Sequence, residues 1–272
     1  MTPPVALTIA GSDSAGGAGV QADLKTFAAL RVFGASAITA LTAQNTRGVH
    51  GVHAVPADFV VAQVEAVLDD LTVRAVKTGM LATAEIVHVV AKLAASARLP
   101  QLVVDPVMVA SSGDRLLEEA AERAYVDELL PHAAVLTPNV REAEVLLGTR
   151  IATLADQRQA ARALGDLGPS VVVVKGGHAV RGSEDGAVDI VWDGSSMREL
   201  SAPRIDTMNN HGTGCSFASA IAAGLASGVE LWPALERAKR FVQQGIRGGS
   251  RWRLGGGHGP LDHFGWEGSE AP

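Results

Sequence analysis

Along the chain, short runs of β-branched and other apolar residues alternate with longer segments whose apolar positions recur at helical spacing. The runs are apolar throughout, as strands buried on both faces of a parallel sheet are. They predict strands at Val5 to Ile9, Ser36 to Leu41, Arg74 to Lys77, Leu102 to Asp105, Ala134 to Leu136, Val171 to Lys175 and Ala187 to Trp192. Between them, Phe59, Val60, Val64, Val67, Leu68 and Leu71 fall on one helical face, and Thr83 to Ala97 and Leu116 to Leu130 behave similarly. The fold class is therefore α/β, a mostly parallel sheet with a helix to return each strand.

Two features interrupt the alternation. Ala187 to Trp192 and Met197 to Ser201 read as two strands joined by Asp193-Gly194, a hairpin turn signal that predicts an antiparallel edge. His211 to Ser227 and Leu231 to Gly249 then read as consecutive helices, with a glycine-rich loop after them from Gly255 to His263. The first helix is expected to open near Val20. No linker or composition shift divides the chain, so residues 1–264 are read as one domain and 265–272 as a frayed polar tail.

Composition narrows the class. In 272 residues, 47% are hydrophobic and 19% charged, which excludes a disordered chain. A formal charge of -6 argues against nucleic acid and anionic membrane as partners, so a polyanionic ligand must be held locally. Cys215 is the one cysteine, which excludes an internal disulfide and fits a reducing compartment, the cytoplasm. The apolar run from Val5 to Ala10 is too short for a signal sequence or a membrane span. The histidines lack metal-site spacing; His50 and His53 are expected in a loop.

The chemistry lies in the residues just beyond the end of each strand: Gly11-Ser-Asp13, Gln44-Asn-Thr46, Thr78-Gly-Met80, Asp105-Pro106, Thr137-Pro-Asn139 and Lys175-Gly-Gly-His178. In a parallel sheet these positions share the carboxyl edge, where open α/β folds place a ligand crevice. The loop from Gly11 to Gly19 lacks the lysine of a Walker A loop and reads as a small-molecule pocket wall. His211-Gly-Thr-Gly-Cys215 opens a helix rich in small residues, so the amides of Gly212, Thr213, Gly214 and Cys215 form a candidate anion hole. A thiol in a first helical turn is expected to have a depressed pKa, which would suit Cys215 as a base.

Several strings carry a resemblance: Thr8 to Asp13, Gly16 to Phe27, Ile38 to Gly48, Lys77-Thr-Gly-Met-Leu81, Asp105-Pro-Val-Met108, Thr137-Pro-Asn139 with Glu142, Val174 to His178, His211 to Cys215, and Gly257 to Pro260 with His263-Phe264. Over nearly its whole length the chain resembles the hydroxymethylpyrimidine/phosphomethylpyrimidine kinases of thiamine biosynthesis, within the ribokinase-like superfamily. The resemblance implies a three-layer αβα domain that moves a phosphoryl group from ATP to an aminopyrimidine alcohol, then to the monophosphate. It implies Gln44 as reader of the pyrimidine, with Gly11, Asp23, Met80 and Val107 beside it. For ATP it implies Asn139, Lys175, Gly176, Gly177, Gly214 and Lys239, with Asp105 and Glu142 near Mg2+ through water. A monovalent cation is a further candidate cofactor, and a homodimer the implied assembly. Met208, Asn210 and Ser14-Ala15 depart from the family pattern. The alternatives are a pyridoxal or pyridoxine kinase and a non-catalytic pyrimidine sensor; Gln44 argues against the first, and intact Asp105, Lys175 and Gly212 to Cys215 against the second.

Overall fold

A parallel sheet needs its crossing helices on both faces, and alternate residues of each strand accordingly divide between two cores. The computed structural model describes residues 2–108, 119–177 and 186–266. In chain order the elements are β1 (Val5–Ala10), α1 (Gly19–Ala29), β2 (Phe33–Ile38), β3 (Ala40–Asn45), β4 (Gly48–Ala54), α2 (Ala57–Leu68), β5 (Val73–Thr78), α3 (Ala84–Ala95), β6 (Val103–Val104) and α4 (Glu119–Ala124). They continue with β7 (Val135–Leu136), α5 (Val140–Leu147), α6 (Leu154–Gly165), β8 (Val171–Val174), β9 (Gly186–Trp192), β10 (Met197–Pro203), α7 (Thr213–Ala226) and α8 (Leu231–Gly249).

The main sheet runs β10-β9-β8-β7-β6-β5-β1-β2, parallel from β8 through to β2. β9 lies antiparallel to both β8 and β10 and makes the expected antiparallel edge. Leu7, Ile9, Val76, Val104, Leu136 and Val172 pack against α2, α3, α5 and α6. Ala6, Ala75, Val103, Val135, Val171 and Val173 pack on the opposite face against α1, α7 and α8. The result is the three-layer αβα sandwich that the resemblance implies. Among the described residues, no helix is long and apolar enough to cross a membrane.

Three expectations are corrected. The single strand predicted at Ser36 to Leu41 is two: β2 ends at Ile38, and β3 pairs with β4 in a separate two-stranded antiparallel sheet. Buried Thr39 makes the break, its amide donating to Ala10 O at 3.0 Å and its hydroxyl to Met80 O at 2.6 Å. His50 and His53 consequently lie on β4, not in a loop. The long helix predicted to end at Leu130 is α4 followed by a π-helical turn at Tyr125–Leu129 and a 3-10 turn at Leu130–His132. Pro131, with no amide hydrogen to give, stands at the tightening. Residues 267–272 of the predicted tail lie outside the described residues, as do 116–118 of that helix and His178.

The β3–β4 hairpin projects over the carboxyl edge of the sheet. Its tip is held by the C-terminal glycine loop: His258 N donates to Thr46 O at 2.8 Å and Gly257 N to Thr46 Oγ1 at 3.2 Å.

Candidate active site

A cleft of about 640 Å³ runs along the carboxyl edge from the hairpin to α8. At its centre α7 begins. Gly212 caps the helix at φ 82°, and a Cβ there would fall 1.9 Å from Gly17 O, so only glycine lets this turn rest on the first loop. The first-turn amides of α7 have no helical partners, though Thr213 N donates to Asn210 O at 3.3 Å, and the residues Gly212 to Cys215 all line the cleft. Lys175 reaches the same turn from the end of β8: a Cβ on Gly214 would lie 3.1 Å from Lys175 Nζ. Asp105, just after β6, accepts from Lys175 Nζ at 2.8 Å and from Thr137 Oγ1 at 3.2 Å.

Asn139 and Glu142 close a capping box on α5, the Asn139 side chain accepting from Glu142 N at 2.9 Å and Glu142 Oε2 from Asn139 N at 2.7 Å. Burial pushes the Glu142 carboxyl up to about 7, with Asp105 adding to the rise and Lys175 opposing it. Two carboxylates sharing one cation are a hard-oxygen set suited to a divalent metal. Among the described residues no group of three or more His, Cys, Asp or Glu could cage an ion. Asp105 and Glu142 suit a divalent metal held by only one or two carboxylates, as Mg2+ commonly is, and would hold it here. Further along, Lys239 Nζ bonds Asp189 Oδ2 at 2.6 Å and Ala187 O at 3.0 Å at the cleft wall.

At the hairpin end, Gln44 on β3 lines the cleft with Gly11, Met80 and Val107. Ser14 Oγ both donates to Gln44 O and accepts from Gln44 N, each at 2.8 Å, across 30 residues. Asp13 organises the first loop, accepting from the amides of Ala15, Gly17 and Ala18 and lying 2.9 Å from His211 Nε2. Burial would raise its carboxyl, but His211 and those amides outweigh it and hold Asp13 below the usual range.

Residues 13–262 match the sequence model of the phosphomethylpyrimidine kinase family. The chain belongs to that family. A hydroxymethylpyrimidine/phosphomethylpyrimidine kinase of Rhizobium meliloti is 51% identical over 263 residues, 96% of this chain and 97% of that one. One from Streptomyces coelicolor is 49% identical over 266 residues, 98% and 96% of the two chains. Among solved structures, the ADP complex of Bacillus subtilis pyridoxal kinase is similar at a TM-score of 0.89 and 36% identity, covering 98% of this chain and 100% of that one. Membership makes this protein a kinase.

Within this family frame, three sequence expectations need correction. Asp23 does not line the cleft. It is fully buried behind it, accepting from Lys77 Nζ at 2.9 and 3.0 Å, Thr8 Oγ1 at 2.6 Å and Ser219 Oγ at 2.7 Å. Gly176 is also absent from the wall; its amide donates to Asp189 Oδ1 at 3.0 Å, and a Cβ would strike Val188 O at 1.9 Å. The Cys215 thiol is not depressed. Burial pushes it up to about 11, with Asp23 and Asp105 adding to the rise against Lys77 and a backbone hydrogen bond.

Sequence reasoning does not single out His211, which lines the cleft, or Lys77, which lies fully buried beneath it and paired with Asp23. Burial pulls the Lys77 pKa down, but Asp23, Cys215 and Asp105 together carry it above its ordinary value. A lysine inside the apolar run of β5 is the readable signal, since an unpaired charge is not buried there.

Proposed function

We propose that this protein phosphorylates 4-amino-5-hydroxymethyl-2-methylpyrimidine with ATP and then phosphorylates the monophosphate to the pyrophosphate, in thiamine biosynthesis. The observation that carries the reading is that Gln44 and the Gly212 to Cys215 turn line one cleft in a chain 51% identical to a hydroxymethylpyrimidine/phosphomethylpyrimidine kinase. Phosphoryl transfer needs positioning and charge neutralisation more than covalent chemistry. Lys175 and the α7 amides supply positive ends at the transfer point, and Gln44 supplies the side-chain amide that reads an amidine edge. Asp105 and Glu142 would hold Mg2+ through water, which would neutralise phosphate charge. Asn139, Gly177 and Lys239 extend the wall on the nucleotide side.

The same proposal treats residues 1–264 as one kinase domain, supported by the continuous sheet and by the family match over 13–262. It includes a cytoplasmic setting and a homodimer, the latter supported by the half-exposed Leu41 and Val52 on the hairpin. Pyridoxal kinase is the second reading, favoured by the TM-score of 0.89 to the Bacillus subtilis pyridoxal kinase. Steady-state assays with the aminopyrimidine, its monophosphate and pyridoxal test both. Efficient use of the first two and poor use of pyridoxal is expected; a preference for pyridoxal would overturn the reading.

A further inference from the structure

Gln44 can read a ring only if its amide is held one way round, because the nitrogen and oxygen of an amide have nearly the same outline and opposite hydrogen-bonding character. The neighbours decide which way. His211 Nε2 lies 2.9 Å from Asp13 Oδ2, an ionised carboxylate that accepts only, so this nitrogen carries a hydrogen. The same His211 Nε2 lies 3.4 Å from the terminal atom of Gln44 placed as Nε2. That one hydrogen goes to Asp13 at the shorter distance, so toward Gln44 the ring nitrogen has no lone pair, and an amide N–H placed there would find no acceptor. On the other side, Thr42 Oγ1 lies 2.7 Å from Ser12 O and 3.2 Å from the other Gln44 terminal atom. Its one hydrogen goes to the backbone carbonyl at the shorter distance, so toward Gln44 the hydroxyl has only lone pairs to offer.

Both neighbours demand the same orientation. We propose that a relay Asp13–His211–Gln44–Thr42–Ser12 locks the Gln44 amide with its oxygen toward His211 and its nitrogen toward Thr42, making His211 and Thr42 the positioning residues that set ring specificity. The inference rests on the aminopyrimidine reading of the site. The locked amide offers the cleft an acceptor on the His211 side and a donor on the Thr42 side. An aminopyrimidine matches this with its exocyclic amine turned toward His211 and the start of α7, and its ring nitrogen turned toward Thr42. The corresponding oxo analogue presents a carbonyl and a ring N–H, the reverse pattern, and leaves two donors and two acceptors opposed.

The test is the ratio of KM for the oxo analogue to KM for the aminopyrimidine, with ATP KM measured in parallel. Wild type is expected to favour the aminopyrimidine strongly. His211→Phe and Thr42→Val each release the amide to turn, so the ratio is expected to fall by about tenfold or more, the scale on which one opposed polar contact discriminates. His211→Gln restores a donor at similar reach and is expected to recover most of the ratio. Should His211→Phe fail to fold, the near-isosteric Thr42→Val decides alone. An unchanged ratio in a folded variant, or equal losses for both ligands without rescue by His211→Gln, overturns the relay. Wild type that does not use the aminopyrimidine overturns the proposed function itself, a distinct outcome.

Discussion

The two ends of the cleft are held in opposite ways. At the α7 end the candidate chemistry is backbone: the amides of Gly212 to Cys215 are fixed by a helix whose Ser216 to Gly224 run is buried. Lys175 and Asp105 sit directly at the ends of β8 and β6, paired at 2.8 Å. At the hairpin end the chemistry is one side chain on a two-stranded sheet, secured by Ser14, Thr42 and His211. The first end is built on rigid elements and, on the proposed function, would serve the phosphoryl group common to every acceptor. The second is hung from single hydrogen bonds and, on the same proposal, would distinguish acceptors.

Breaking the rigid end should therefore cost the most and should not discriminate between acceptors. Gly212→Ala forces a Cβ to within 1.9 Å of the Gly17 carbonyl at a φ of 82°, so the turn must move off the first loop. We expect a loss of roughly 10³-fold in kcat with either acceptor, at the upper end of the usual cost of one anion-hole donor, and a lower melting temperature. Single-turnover rates at saturating ATP check it. Lys175→Ala keeps the backbone and removes only the cation, so about 10²-fold is expected, again for both acceptors. A loss confined to one acceptor would show that Lys175 serves the acceptor and not the phosphoryl group.

The difference between the ends also explains what could be read from sequence. Strand ends and a helix start are local features, and the runs before Asp105, Asn139 and Lys175 place those residues on one edge correctly. β4, with the sequence Gly-Val-His-Gly-Val-His-Ala, has no buried residue and no apolar run, so nothing in its pattern announces a strand. The break at Thr39 depends on carbonyls of Ala10 and Met80, contacts no local pattern contains. Asp23 lies in a resembling string, but which way a carboxylate turns is decided by its partners. Here Lys77, Thr8 and Ser219 draw it away from the cleft. Cys215 misleads for a related reason: a helix start favours the thiolate, but burial together with Asp23 and Asp105 outweighs it.

Breaking the hung end should discriminate. Gln44→Ala removes the paired amide and leaves the α7 turn untouched. A cost of about 1 to 3 kcal/mol is expected for the pyrimidine, roughly a 5- to 150-fold rise in its KM, with ATP KM nearly unchanged. Michaelis constants for both substrates are the check. An equal loss for ATP would place Gln44 in the shared phosphoryl site and erase the distinction between the two ends.

On the proposed function Cys215 belongs to both ends, because its amide would complete the anion hole while the residue lines the cleft, and it should give the smallest effect at neutral pH. With the thiol pushed up to about 11, the sulfur is protonated near pH 7 and the thiolate fraction grows about tenfold per pH unit up to that value. Only the alcohol acceptor needs to lose a proton; the monophosphate is already ionised. Cys215→Ala keeps the amide, so at pH 7 it is expected to cost less than about a tenfold loss with either acceptor, below the usual worth of an ionised general base. As pH rises toward 9, the wild-type alcohol rate should climb while that of the variant stays flat, and the monophosphate rates of both should run parallel. Rates for the two acceptors across that range give the comparison directly. A loss of about a hundredfold or more with the alcohol at pH 7 would mean that bound substrates pull the thiol down by several units, moving the base function to the liganded enzyme. Parallel alcohol profiles at every pH would confine Cys215 to its backbone amide and leave the acceptor proton to another group.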